Sequence, residues 1–270
     1  MRYLFVALFA LATTTSNAWA WGDTGHRVVC ELAFRLSAPE TRAEIRRLIQ
    51  ADSEFDFFRD SCIWPDHPRK RAPEHFINLP RTSTGISLGN QCAMANRCTG
   101  TAIEQDMAVL SSSSASDADK LTSLKFLGHW VGDIHQPLHV SFEDDRGGNN
   151  VRVNGECSTN MYSAWDTCLV QKAIGSDVSA AVSDLLSSIT SGMKEEWGTA
   201  NPRDWANESF AITRAPATKY CIQHGSSCDA PSGAVEIDDG YVETNIKVVR
   251  QQLQKAGVRL AHLLETALHR

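Results

Sequence analysis

Apolar residues recur along this chain mostly at three- and four-residue intervals, the period of a helix with one buried face. The stretch Lys120 to His139, KLTSLKFLGHWVGDIHQPLH, carries Leu121, Leu124, Leu127, Gly128 and Val131 at that spacing, which predicts a buried helix ended by Pro137. Val28, Val29, Leu32, Ala33 and Leu36 predict another over Trp21 to Leu36. Further helices are expected from Pro39 to Ala51, with Pro39 in the first turn, and over Thr101 to Leu110, Val178 to Met193 and Trp205 to Pro216. The longest begins at Asp238 or Asp239 and is traced by Val242, Ile246, Val249, Leu253, Ala256, Leu260, Leu263, Leu264 and Ala267. Phe55 to Pro80 reads as a proline-broken loop, and Arg81 to Gly100 as a surface loop. Ser111 to Asp119 reads as a linker, with Asp117 or Asp119 capping the central helix. Val151 to Gly155 alternates and ends in a turn, which predicts a short hairpin. The fold class is mainly α, with a single domain and a minor β-hairpin.

The first twenty residues break the pattern. Arg2, the apolar run Leu4 to Ala12 and the small-residue signal Ala18-Trp19-Ala20 have the form of a secretory signal peptide. The run is too short for a membrane span, which needs roughly 20 residues. Residues 1–20 are therefore expected to be a signal peptide, leaving a domain over 21–270 with Trp21 at its amino terminus. The protein would be secreted or periplasmic, without membrane attachment after cleavage. The formal charge of −6 argues against non-specific polyanion binding through bulk charge. All eight cysteines follow residue 20, which fits disulfides formed in an oxidising compartment. Proximity favours Cys92–Cys98, Cys157–Cys168 and Cys221–Cys228, leaving Cys30 with Cys62.

His129 and Asp133 are four apart and share a helix face, with His139 just past the proline break. An imidazole and a carboxylate at that spacing, with a second imidazole nearby, can ligate a metal. A polar helix face with a satisfied core histidine is the competing reading. His26, Asp66, His75 and Asp166 extend the set, mostly at helix ends or in proline-rich loops where one pocket could gather them. His135 lies on another face and is expected to support structure.

These residues stand in an order that resembles the zinc-dependent type I nuclease family, the fungal single-strand nucleases and plant bifunctional nucleases. The matching motifs are W-G-x-x-G-H at Trp21 to His26, W-x-D at Trp64 to Asp66 and H-F-I at His75 to Ile77. H-x-x-G-D-x-x-Q-P-L-H follows from His129 to His139, then Gly147-Gly148-Asn149 and Trp165-Asp166. The resemblance implies a helical fold shared with zinc phospholipase C and a cluster of three zinc ions. One would be held by Asp66, His75, His129 and Asp133. A second would share Asp133 and take His26 with the amine and carbonyl of Trp21, which requires the leader to be removed. The third would use His139, Asp166 and a histidine four residues before that aspartate, where this chain has Tyr162.

The resemblance further implies a monomeric phosphodiesterase acting on single-stranded DNA, RNA or 3'-nucleotides and leaving 5'-phosphates. Asp66 would orient the attacking water, Arg69 would steady the phosphate, and Phe76 would stack a base. Asn78 stands where the family commonly has Asp, which adds a donor to the base pocket. Tyr162 leaves three outcomes open: a paired zinc site with a weakened third, a tyrosinate ligand, or a homologue that binds zinc or nucleic acid with impaired catalysis. A zinc phospholipase C is a further alternative with the same phosphate chemistry.

Overall fold

The computed structural model describes residues 21–88, 92, 97–198 and 201–268. The expected signal peptide, residues 1–20, lies outside them, as do parts of the predicted 81–100 loop. Helices dominate, joined by short two-stranded sheets. No described helix is long and apolar enough to cross a membrane.

The central helix runs from Asp117 to His135 and is buried on every side from Ser123 onward. Its N-cap is Ser116, whose hydroxyl accepts from the Asp119 amide, so neither predicted aspartate caps it. It packs against the N-terminal helix Gly22–Leu36, the helix Thr99–Leu110, the helix Pro202–Thr213 and the C-terminal helix Asp239–Leu268. Two glycines make that packing possible. A Cβ on Gly128 would meet Cys62 Sγ at 2.5 Å, and one on Gly132 would meet the His26 ring at 2.6 Å. The N- and C-terminal helices approach as closely, with Leu32 seated on Gly257. Asp238, one of the two expected caps, accepts from the Tyr241 amide.

All four disulfides pair as proximity suggests, with Cys30 joined to Cys62. The predicted hairpin at Val151 to Gly155 is not one. Val153–Gly155 pairs in parallel with Val235–Ile237, about eighty residues on. The hairpin lies at Ile222–His224 and Ser227–Asp229, flanked by the Cys221–Cys228 bridge. The stretch read as one helix over Val178 to Met193 is two, Val178–Ser187 and Ser191–Gly198. Serine hydroxyls at 187 and 188 take the Asp184 and Leu185 carbonyls, and Thr190 caps the second helix. The helix expected from Trp205 starts earlier, at Pro202 after the Asn201 cap, and ends at Thr213.

One small sheet matters most to the chemistry. Ile77–Leu79 pairs in parallel with Val140–Phe142. Parallel register sets the residues just before each strand side by side. Those residues are His75-Phe76 and His139.

Candidate metal centre

Four imidazoles surround one carboxylate. Asp133 projects from the central helix with His75 Nδ1 at 3.2 Å, His129 Nε2 and His26 Nε2 each at 3.4 Å, and His139 Nδ1 at 3.6 Å. Asp66 adds a second carboxylate, 3.5 Å from His75 Nδ1 and 3.6 Å from His129 Nε2. Each comes from a different local cause. His26 is in the second turn of the N-terminal helix, stacked on His129 and seated over Gly132. Asp66 ends the short turn Trp64–Asp66, and His75 ends the turn Ala72–His75. His139 closes the turn that Pro137 imposes after the central helix. Asp166 lies in a π-helical turn, Ala164–Cys168, a distortion that recurs at functional sites.

The outer nitrogens are fixed. His129 Nδ1 engages the Cys62 carbonyl at 2.8 Å, and His75 Nε2 the Lys70 carbonyl at 2.9 Å. Each of these rings therefore donates outward and turns its basic nitrogen towards the carboxylates, as supported metal ligands do. Edge contacts with Trp130 hold both rings further.

Burial acts on both partner types in opposite senses. It holds His75 down to about 2, His139 down to about 3 and His129 well below the usual histidine value. It pushes Asp133 well above the usual carboxylate range, helped by the charge of Asp66. Both Asp133 oxygens are buried, and neither accepts a hydrogen bond among the described residues. A buried carboxylate left so costs several kcal/mol unless a cation meets it. Neutral imidazoles and ionised carboxylates are together the state a dication requires. His26, Asp66 and His129 converge closely enough to hold one ion, as do His75, His129 and Asp133. The donor set of imidazole and carboxylate suits zinc.

Trp21 is fully buried at the head of the N-terminal helix, its indole donating to the Gly132 carbonyl. Burial pushes the Asp166 carboxyl well above the usual range, opposed in part by the Gln136 amide and by the nearby Trp21 and Gly22 backbone N–H groups, and the Trp21 carbonyl accepts from Gly25. Arg69 faces the cluster, with Nε 4.0 Å from Asp66. A cavity of about 240 Å³ opens beside it, lined by Arg69, Phe76, Asn78, His139, Arg146 and Tyr162 among others. Every candidate residue named from the sequence therefore lies in or beside this one region. Arg146 had no signal beyond a turn-rich composition. His135 stands apart: its Nε2 meets Arg259, which is clamped by Glu208, so it braces the helix end. Asn207 bonds the Ile86 backbone and Ser209 donates to the Ile134 carbonyl, which ties the neighbouring helix to the central one.

The comparisons with known proteins point the same way as the geometry. Endonuclease 4 of Arabidopsis thaliana is 26% identical over 98% of this chain and 94% of its own length. Nuclease S1 of Aspergillus oryzae is 28% identical over 96% of this chain and 94% of its own. Nuclease P1 of Penicillium citrinum is 28% identical over 90% and 96%. The model of the S1/P1 nuclease family matches residues 21–269. The chain belongs to the S1/P1 nuclease family.

Proposed function

We propose that this chain is an exported, zinc-dependent phosphodiesterase that hydrolyses single-stranded DNA and RNA, and 3'-nucleotides, to 5'-phosphorylated products. The observation that carries the reading is Asp133, a buried carboxylate ringed by four imidazoles with no hydrogen-bond donor of its own. Nuclease names among the relatives supply the substrate class. Four disulfides in the described residues suit an oxidising compartment.

Asp66, His75, His129 and Asp133 would hold one zinc, and Asp133 with His26 and the Trp21 amine and carbonyl the other. Cleavage after Ala20 is part of the proposal, because only a processed chain offers that amine. Bound zinc supplies Lewis-acid charge neutralisation and makes water acidic enough to act as a nucleophile near neutral pH. Asp66 would accept from the attacking water and orient it. Arg69 grips the phosphate with a planar fork of donors. Phe76 offers a face for stacking a base, worth about 1–3 kcal/mol and indifferent to base identity. Asn78 adds an amide that both donates and accepts at the base edge.

The test is direct. Mature protein stripped of metal and resupplied with zinc is incubated with single-stranded DNA, RNA and 3'-nucleotides. Cleavage restored by zinc supports the reading, and inertness towards all three ends it. Release of phosphocholine from phosphatidylcholine without nucleotide release would instead assign the chain to phospholipase chemistry.

A further inference from the structure

The resemblance that implies a paired zinc site also implies a third ion on His139, and this chain's residues do not fit it. His139 commits both ring nitrogens inside the protein. Nδ1 engages the His75 carbonyl, and Nε2 meets the Tyr162 hydroxyl at 2.6 Å. With Nδ1 donating outward, Nε2 is the acceptor and the phenol is the donor. Asp166 takes the Gln136 amide at 3.4 Å. Around Asp133, His75 and His129 turn lone pairs towards carboxylate oxygens that accept no hydrogen bond among the described residues. Around His139 they are met by protons.

Positive charge reaches the same cavity by another route. Arg146 lines it with Arg69 and Tyr162. Among the described residues the Arg146 guanidinium has no hydrogen-bond or ion-pair partner, and only its backbone is bonded. The backbone of its loop is fixed beside the cavity. Arg146 and Gly147 both take left-handed backbone angles, φ 57° and 68°. A Cβ on Gly147 would meet the Leu138 carbonyl at 2.9 Å, so the loop sits hard against the turn that carries His139. Asp145 pins it from behind, accepting from the Tyr220 hydroxyl at 2.6 Å and the Gly148 amide at 2.8 Å, with Arg81 alongside.

We infer that this chain keeps two metal ions rather than three, that Tyr162 closes the third position by donating to His139, and that Arg146 with Arg69 supplies the charge that grips phosphate there. The inference rests on the proposed phosphodiesterase reading. A guanidinium is always charged and matches phosphate with paired donors, so it can meet the phosphate charge that a third cation would otherwise meet. Unlike a metal ion, it survives chelation.

The test counts zinc by elemental analysis of the mature chain, loaded with excess zinc and desalted. The expected values are two per native chain, two in Tyr162→Phe and three in Tyr162→His, where an imidazole can replace the phenol. Arg146→Ala should keep two ions. It should raise KM for a single-stranded oligonucleotide by about tenfold with little change in kcat, the loss of one charge-assisted contact. Its affinity should also depend less on salt, by about 0.7 in the log–log slope. Three ions in the native chain overturn the inference, and three falling to two in Tyr162→Phe would identify the phenolate as a ligand. Two ions in Tyr162→His overturn the role given to Tyr162. An unchanged KM and salt slope in Arg146→Ala overturn the role given to Arg146. Fewer than two ions in the native chain remove the paired centre itself, a failure of the earlier reading that is told apart by its number.

Discussion

Two clusters of the same residue types lie side by side in this molecule and are finished differently. Around Asp133, His75 and His129 each send one nitrogen outward to a backbone carbonyl and leave the other facing carboxylate oxygens. Around His139, the Tyr162 hydroxyl takes Nε2 and the His75 carbonyl takes Nδ1, so both ring nitrogens are engaged. One arrangement leaves lone pairs for a cation to meet, and the other has both ring nitrogens engaged as it stands. Histidine and aspartate within reach of each other do not make a metal site. The deciding feature is whether the inward lone pairs are left without protons.

Removing the central carboxylate should break the contrast most completely. Asp133→Asn should lower hydrolysis by at least about 10³-fold, since several kcal/mol of charge stabilisation depend on the ions it holds. The same variant, metal-free, should be no less stable than metal-free native protein in a urea titration, because it no longer buries an unmet carboxylate. A clear loss of stability without metal would show that Asp133 serves the fold rather than an ion.

Chelation should come next in size. Zinc at 1,000 times its dissociation constant adds about 4 kcal/mol to stability, so a chelator should lower the melting temperature and zinc should restore it. Acid should act on the buried imidazoles. Burial holds His75, His129 and His139 below their unfolded pKa of about 6.5. Below that pH the unfolded chain takes up protons that the folded chain refuses. Stability contributed by these rings is therefore present above about pH 6.5 and falls as pH drops towards about 3, by up to about 1.4 kcal/mol per unit for each ring. Urea midpoints of zinc-loaded protein between pH 7.5 and 4.5 check the sign, and a midpoint that rises on acidification contradicts it.

Two smaller changes sharpen the comparison. Replacing Cys30 and Cys62 by alanine should cost about 2–5 kcal/mol and weaken zinc binding as well, because the Cys62 carbonyl orients His129. Gly132→Ala places a methyl 2.6 Å from His26 and should cost about 1–3 kcal/mol. Its zinc affinity should fall while Tyr162→Phe, on the other side, leaves zinc affinity unchanged. Calorimetric zinc titration of the two variants reads that difference, and equal losses in both would dissolve the distinction.

The helices were readable because their causes are local. The stripe from Leu121 to Val131 and the stop at Pro137 lie in one stretch, and His129 and Asp133 fall on one face through helix geometry alone. His26, Asp66 and His75 were readable only by motif order, since nothing in their own neighbourhoods says that they meet. The parallel pairing of Val153–Gly155 with Val235–Ile237 was misread because its partner is distant, and a short alternating run looks the same in a hairpin. The break after Ser187 was hidden because the apolar stripe continues across it, while serine and threonine hydroxyls end one helix and start the next. Tyr162 was visible as a departure, but what it does was not. Its bond to His139 depends on a parallel pairing, Ile77 with Val140, that sets His75 beside His139. Arg146 was invisible, since what aims it is a loop anchored on Tyr220 and Arg81.

The measurement closest to the central claim is anomalous scattering at the zinc edge from crystals of the mature, zinc-loaded chain. Two peaks are predicted, both touching Asp133, one shared with His75 and His129 and the other with His26 and the Trp21 amine. No peak at Asp133, or a peak bridging His139 and Asp166 in its place, would contradict the account.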